Sequence, residues 1–118
     1  MGQAARSVFW FGVYLAVAGT GLVFAPRLVL APVGIPAPQE VWIRVVGILA
    51  LCLAVYYVVA ARSTATAVMR ATVPVRVGVT FAFGALVALS LAPAGLLVFA
   101  AIDLAGAVWT ALALRAGG

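Results

Sequence analysis

Four long runs of apolar residues dominate the chain, and proline, arginine or glycine residues separate one run from the next. A bilayer hydrocarbon core about 30 Å thick needs roughly 20 mostly apolar residues per helix, and each run has about that length. The pattern therefore predicts an all-α, polytopic integral membrane protein, a single four-transmembrane-helix bundle over residues 1–118. The predicted membrane spans cover residues 7–25, 41–61, 73–92 and 96–114.

Prolines set the predicted bounds of the third span. Pro74 suits the first turn of a helix, where a missing N–H is tolerated, and Pro93 follows the predicted end. The preceding segment RSTATAVMRAT, residues 62–72, is polar and basic, which predicts a turn at the membrane surface. Segment 26–40 combines prolines with apolar side chains. It predicts a connector at the membrane interface, with a re-entrant loop that lines a cavity as the alternative.

The composition agrees with a membrane protein. Hydrophobic residues make up 68% of the chain and charged residues 8%, whereas soluble domains have about 45–50% and about 25%. Cytoplasmic segments are enriched in positive charge, and the arginines divide unequally between the two ends of the predicted bundle. This division predicts that both termini lie in the cytoplasm. The cytoplasmic side would hold Arg6, Arg62, Arg70, Arg76 and Arg115, and the other side Arg27 and Arg44.

The chain offers few groups for catalysis. It contains no histidine, lysine or asparagine, which excludes histidine-based acid/base chemistry, Schiff-base lysines and the Ser-His-Asp triad. No metal-ligand spacing is present, and the arginines are scattered singly rather than clustered for nucleic acid. We therefore predict no metal, no cofactor and no nucleic-acid partner, and an enzyme is not favoured. Cys52, the single cysteine, is predicted to be a small buried side chain.

One carboxylate, Asp103, stands inside the fourth apolar run, FAAIDLAGAVWTALAL. It would lie ~12 Å from the outer end of its helix at 1.5 Å per residue. An ionisable side chain at that depth costs ~2.5–3.5 kcal/mol and should face the bundle and have a partner. Arg44, ~5 Å below the outer end of the second span, is the predicted partner, because Arg76 begins from the opposite side of the membrane.

Further polar side chains could join this intramembrane pair. Glu40 lies four residues before Arg44 and could compete for it. Two hypotheses remain open for Asp103 and Arg44: they fix the register of two helices, or they form a protonatable site or the polar floor of a ligand cavity. The secondary polar partners are Tyr56, Tyr57 and Thr110.

Small residues recur at the spacing of helix contacts. Such residues let helix backbones approach closely in lipid, where packing drives association. We expect them to serve the internal bundle, a homo-oligomer or contacts with other membrane subunits. The predicted packing glycines are Gly12, Gly47, Gly78 and Gly106.

The first two spans carry a family resemblance. Segments RSVFWFGVYLAVAGTGLVFAP and WIRVVGILALCLAVYYVVAAR, the second with an Arg-x-x-Gly pattern, resemble the DoxX-like group of small four-helix bacterial membrane proteins. The resemblance implies a four-helix fold in the bacterial inner membrane and, for some members, a link to thiosulfate or quinone redox systems. No redox residue set transfers, because Cys52 stands alone. Small multidrug transporters have a similar length but place an essential acid in the first helix, which has none here.

Two functional hypotheses follow from these features. The first is a non-catalytic membrane subunit or scaffold that packs in the lipid bilayer against partner proteins or against itself. The second is a small transporter or ligand-binding membrane protein that uses Asp103 and Arg44, or a DoxX-like accessory to a membrane redox system. The sequence does not identify a small-molecule ligand.

Overall fold

Helices make up most of the computed structural model, which describes residues 1–38 and 41–117. The helices are α1 (Gln3–Phe24), α2 (Pro26–Leu30), α3 (Trp42–Arg62), α4 (Thr66–Ala88) and α5 (Leu96–Arg115), and a 3-10 turn, Ala31–Val33, follows α2. The described residues form no strand. Helices α1, α3, α4 and α5 are long and apolar enough to cross a membrane, which confirms the predicted all-α architecture with four candidate spans.

Large apolar side chains cover the outside of the helices. Phe24 is 76% exposed, Phe81 75% and Leu49 58%. Soluble monomers rarely expose apolar area on this scale, whereas contact with lipid would cover it. The longest dimension of the molecule is 43 Å, close to the about 40–45 Å of a bilayer with its headgroup regions.

The third span differs from its predicted bounds of 73–92. Helix α4 begins at Thr66 and ends at Ala88, so Pro74 lies inside it. An internal proline removes one helical hydrogen bond, and membrane helices tolerate it because neighbouring groups satisfy the freed carbonyl. The turn before α4 is short and contains Thr64 at a positive φ of 51°. After α4 the chain turns at Ser90, whose φ is 60°.

The helices pack as two pairs. Helix α1 packs along α3, α4 packs along α5, and α1 joins the pairs through its contact with α5. Gly19 and Gly47 allow a close approach of α1 to α3: a Cβ atom added at Gly47 would lie 2.7 Å from the Gly19 carbonyl oxygen. By contrast, α3 and α4 scarcely touch although they follow each other in the chain. A groove therefore remains between these two helices.

The segment between α1 and α3 packs onto the end of the bundle. A Cβ atom at Gly21 would collide with the Val29 side chain, and one at Gly95 would collide with the Val33 carbonyl. Gly34 has a φ of 76°, a conformation that glycine adopts without strain. The glycines thus allow residues 26–38 to lie against both α1 and the start of α5.

Candidate functional site

Arg76 is the most enclosed charged side chain in the described residues, with 1% of its surface exposed. Its Nε donates to the Thr72 carbonyl at 3.2 Å, and its Nη2 donates to the Thr72 hydroxyl and to the Thr110 hydroxyl, each at 2.8 Å. The first two bonds stay within α4, where residues four apart face the same side. The third bond joins α4 to α5.

The bond from Arg76 continues into a chain of hydroxyl groups. Thr110 Oγ1 lies 2.7 Å from Ser7 Oγ, and Ser7 donates to the Ala4 carbonyl at 2.7 Å. Because each hydroxyl has one proton, Thr110 donates to Ser7 while it accepts from Arg76. The relay therefore connects α4, α5 and α1 with every hydroxyl proton used.

Two aromatic rings flank the Arg76 guanidinium. Its Cζ lies 4.8 Å from the centroid of the Phe11 ring and 5.7 Å from that of Tyr57. These distances fall within the range of cation–π attraction, about 6 Å to the centroid. Phe11 belongs to α1 and Tyr57 to α3, so this one side chain contacts all three of the other candidate spans.

One nitrogen of Arg76 has both protons unused. Nη1 is buried and has no hydrogen-bond partner among the described residues. It lies beside Gly106, where an added Cβ atom would be 2.9 Å away. A buried donor without a partner costs free energy, about 1–3 kcal/mol and more when charged. A group that accepts a hydrogen bond from Nη1 would remove this cost.

Asp103 and Arg76 line one cavity of about 420 Å³, which we call the α3/α4 groove. Asp103 is half-buried and stands one helical turn before Gly106, against which Nη1 rests. The lining is otherwise mostly apolar and comes from all four long helices. It includes Phe11, Leu15, Leu53, Tyr57, Val75 and Phe83.

A second cavity, the loop-side pocket, continues beyond Asp103. Its volume is about 300 Å³, and Leu15, Phe83 and Asp103 line both cavities. Leu30, Ile35 and Pro38 of the segment after α1 also line it. Ligand pockets typically measure about 300–1,000 Å³ and are mostly apolar with a few polar groups, and the two cavities together match that description.

The structure does not bring the predicted pair of Asp103 and Arg44 together. Arg44 Nη1 donates to the Val23 carbonyl at the end of α1, and Arg44 lines a different, surface cavity with Pro26 and Arg27. The earlier start of α4 is the physical reason why Arg76, and not Arg44, lines a cavity with Asp103. At 1.5 Å per residue, Arg76 lies about 15 Å from Thr66, and Asp103 lies about 10 Å from Leu96. Both side chains therefore reach the middle of the bundle.

The other predicted polar residues have different surroundings. Thr110 is fully buried and Tyr57 half-buried beside Arg76, whereas Tyr56 is 68% exposed on the outside of α3. Glu40 lies outside the described residues. The prediction that Cys52 is buried is wrong, because this side chain is exposed on α3.

Three of the four predicted packing glycines face a neighbouring helix. Gly12 faces Tyr57 and Val58, Gly47 faces Gly19, and Gly106 faces Arg76 and Phe11. Gly78 faces no described atom within 4 Å of an added Cβ. The glycine contacts inside the bundle thus lie mainly between α1 and α3 and around Arg76.

Sequence reasoning missed Arg76, Thr72 and Ser7 as members of the site. A signal was present, because Thr72, Arg76 and Thr80 recur every four residues and so share one helix face. The Thr80 hydroxyl lies on that face, 3.0 Å from the Arg76 carbonyl of its own helix and 3.2 Å from the Ala100 carbonyl of α5, and its one proton is available to either oxygen. The signal becomes visible only once α4 is known to extend back before Pro74.

Fold and site together describe an all-helical protein with four candidate membrane spans and a polar cluster enclosed between them. Comparison of the chain with protein-family models, with curated proteins and with solved structures finds no match.

Proposed function

We propose that this chain is a membrane protein that binds a lipid-soluble small molecule between its helices. The observation that carries the proposal is the buried Nη1 of Arg76, which has two unused donor protons, in a residue that lines a mostly apolar groove. A charged arginine at this depth in a membrane costs free energy. Ligand binding gives the unused donor a partner, and the DoxX-like resemblance is compatible with such a role.

A lipid-soluble molecule could enter the groove from the bilayer, between α3 and α4. Because α3 and α4 scarcely touch, the space between them faces the exposed apolar surfaces of both helices. A molecule dissolved in the bilayer would reach Arg76 and Asp103 from the side, without crossing water. This geometry favours a lipid-soluble ligand over a water-soluble one.

The membrane and its orientation belong to the same proposal. The chain would lie in a bacterial inner membrane, as the DoxX-like resemblance implies. Both termini would be in the cytoplasm, because one end of the bundle has the larger number of exposed arginines. Arg76 is not counted among the exposed arginines of either end, because it is buried inside the bundle. The cytoplasmic end would keep Arg6, Arg62, Arg70 and Arg115.

The test is to block the groove without touching its polar groups. Ala71 lines the groove, whereas Ala82 is exposed on the same helix and lines none of the cavities described above. We expect native mass spectrometry of the protein, extracted from its membrane in mild detergent, to detect retained small molecules in the wild type and in Ala82→Leu. Ala71→Leu should lose most of them while its helicity by circular dichroism is unchanged. Equal retention in the two variants would overturn the proposal.

A non-catalytic subunit or scaffold is the second candidate function, and the outer face of α4 favours it. Gly78 and Gly84 have no described atom within 4 Å of an added Cβ, and Phe81 beside them is 75% exposed. Small residues of this kind suit close contact with another membrane helix. Stoichiometric co-purification with a larger membrane complex, lost in Gly84→Leu, would support this function, and a homogeneous isolated protein would contradict it.

A further inference from the structure

The charges in the groove determine which head group it can accept. Arg76 and Asp103 line the same cavity and carry opposite formal charges, yet they form no salt bridge in the part of the chain that the structure describes. Arg76 uses Nε and Nη2 for the threonines and leaves Nη1 free. The site thus offers a cationic donor and an anionic acceptor, with no net charge.

We propose that the groove binds a neutral amphiphile whose head group has both a hydrogen-bond acceptor and a hydroxyl donor, such as a monoacylglycerol. This inference rests on the proposed function and specifies its ligand. The hydroxyl donates to the Asp103 carboxylate, and the acceptor, an ester carbonyl, takes a bond from Arg76 Nη1, which a shift of the neighbouring Phe11 ring would open to the groove. Hydrogen bonds with a charged partner are the stronger ones, so both charges contribute without being neutralised.

An anionic head group fits this site less well. Its charge would be attracted by Arg76 but repelled by Asp103 in the same low-dielectric cavity, where like charges interact strongly. Phe11 and Tyr57 already face the guanidinium with the electron-rich faces of their rings. A neutral head group avoids the repulsion and still uses the free donor.

The loop-side pocket receives the tail. It adjoins the groove at Asp103, and its lining is apolar except for Tyr14 and Asp103. Leu30, Ile35 and Pro38 of the segment after α1 are among its lining residues. The head group would therefore sit between Arg76 and Asp103, and the acyl chain would extend toward residues 30–38.

The experiment compares two ligands with the same acyl chain. The full-length protein in detergent is mixed with equal amounts of monoolein and oleate, at a pH where oleate is ionised, and the bound adducts are counted by native mass spectrometry. We expect the wild type to prefer monoolein by about tenfold, which corresponds to about 1.4 kcal/mol. Equal binding, or a preference for oleate, overturns this inference while leaving the proposed function in place.

A charge variant provides the second measurement. Asp103→Asn removes the negative charge and keeps the shape of the side chain, so the site gains a net positive charge and should shift its preference toward oleate by at least tenfold. Arg44→Gln is the matched control, because Arg44 lies in the surface cavity outside the groove, and it should keep the wild-type preference. An unchanged preference in Asp103→Asn contradicts the inference. Failure of both amphiphiles to bind wild type, together with identical small-molecule retention in Ala71→Leu and Ala82→Leu, would instead overturn the proposed function.

Discussion

Arg76 on α4 and Thr110 on α5 are joined by a hydrogen bond of 2.8 Å between Nη2 and the threonine hydroxyl, and both side chains are almost fully buried. In lipid no water is available to replace a lost partner, so a buried polar group depends on the bonds inside the protein. The bond thus holds the α4–α5 pair together at the depth where it also positions Arg76 against α1 and α3.

Removal of the Thr110 hydroxyl should destabilise the bundle. Thr110→Val keeps the shape of the side chain but takes a partner from both Arg76 Nη2 and Ser7 Oγ. Because hydrogen bonds to charged groups contribute about 1.5–3 kcal/mol, we expect a loss of that size in the free energy of unfolding, measured in mixed micelles. The control is Thr20→Val, whose exposed hydroxyl bonds only to Ala16 of its own helix and should change stability by less than about 0.5 kcal/mol. Equal effects of the two variants would contradict the role of the relay.

Gly106 should tolerate no side chain, whereas Gly78 should. A Cβ atom at Gly106 would lie 2.9 Å from both Arg76 Nη1 and the Phe11 ring, and one at Gly78 meets no described atom within 4 Å. Overpacking typically costs about 1–3 kcal/mol, so Gly106→Ala should lower the free energy of unfolding by that amount. Gly78→Ala should leave it unchanged or raise it by up to about 1 kcal/mol, the difference in helix propensity. Thermal unfolding in detergent measures both variants, and a Gly106→Ala protein as stable as the wild type would show that Arg76 is not held against α5.

Asp103 should be coupled energetically to Arg76 and not to Arg44. The first two line one cavity, whereas Arg44 bonds to Val23 and lines another. Groups that share partners or a cavity typically couple by about 0.5–3 kcal/mol, and distant groups add within about 0.5 kcal/mol. A double-mutant cycle of Asp103→Asn with Arg76→Gln should therefore show coupling, and the cycle with Arg44→Gln should be additive. The reverse result would restore the pairing of Asp103 with Arg44 that the sequence predicts.

The length of the apolar runs was sufficient to predict the four candidate spans, because crossing a bilayer requires a minimum length. The bounds of α3 and α5 differ from the prediction by one residue at most. The predicted start of α4 is wrong because a proline such as Pro74 is compatible with two positions. It can stand in the first turn of a helix, or inside a membrane helix where neighbouring groups satisfy the freed carbonyl. With the helix predicted to begin at residue 73, Arg76 was placed near the membrane surface and was therefore not included in the predicted site.

The faces of the helices could not be predicted in the same way. Helix α3 is apolar on nearly all sides, so hydrophobicity alone does not distinguish its buried face. Cys52, predicted to be buried, and Tyr56, predicted as a secondary polar partner of Asp103, both lie on the outside of α3. Steric fit supplies the missing information: Gly47 must face Gly19 because only a position without a Cβ permits this approach.

The two ends of the bundle should lie on opposite sides of the membrane, with the end that contains Ser63 in the cytoplasm. Ser63 follows α3 next to Arg62, and exposed Ser90 follows α4 at the other end. Single cysteines at these positions, in a Cys52→Ala background, would be exposed to a membrane-impermeant maleimide on one side only. Because positive charge favours the cytoplasmic side, we expect intact cells to label Ser90→Cys at least tenfold more than Ser63→Cys, and permeabilised cells to label both. Labelling of Ser63→Cys alone in intact cells would reverse the proposed orientation and place the loop-side pocket at the cytoplasmic face.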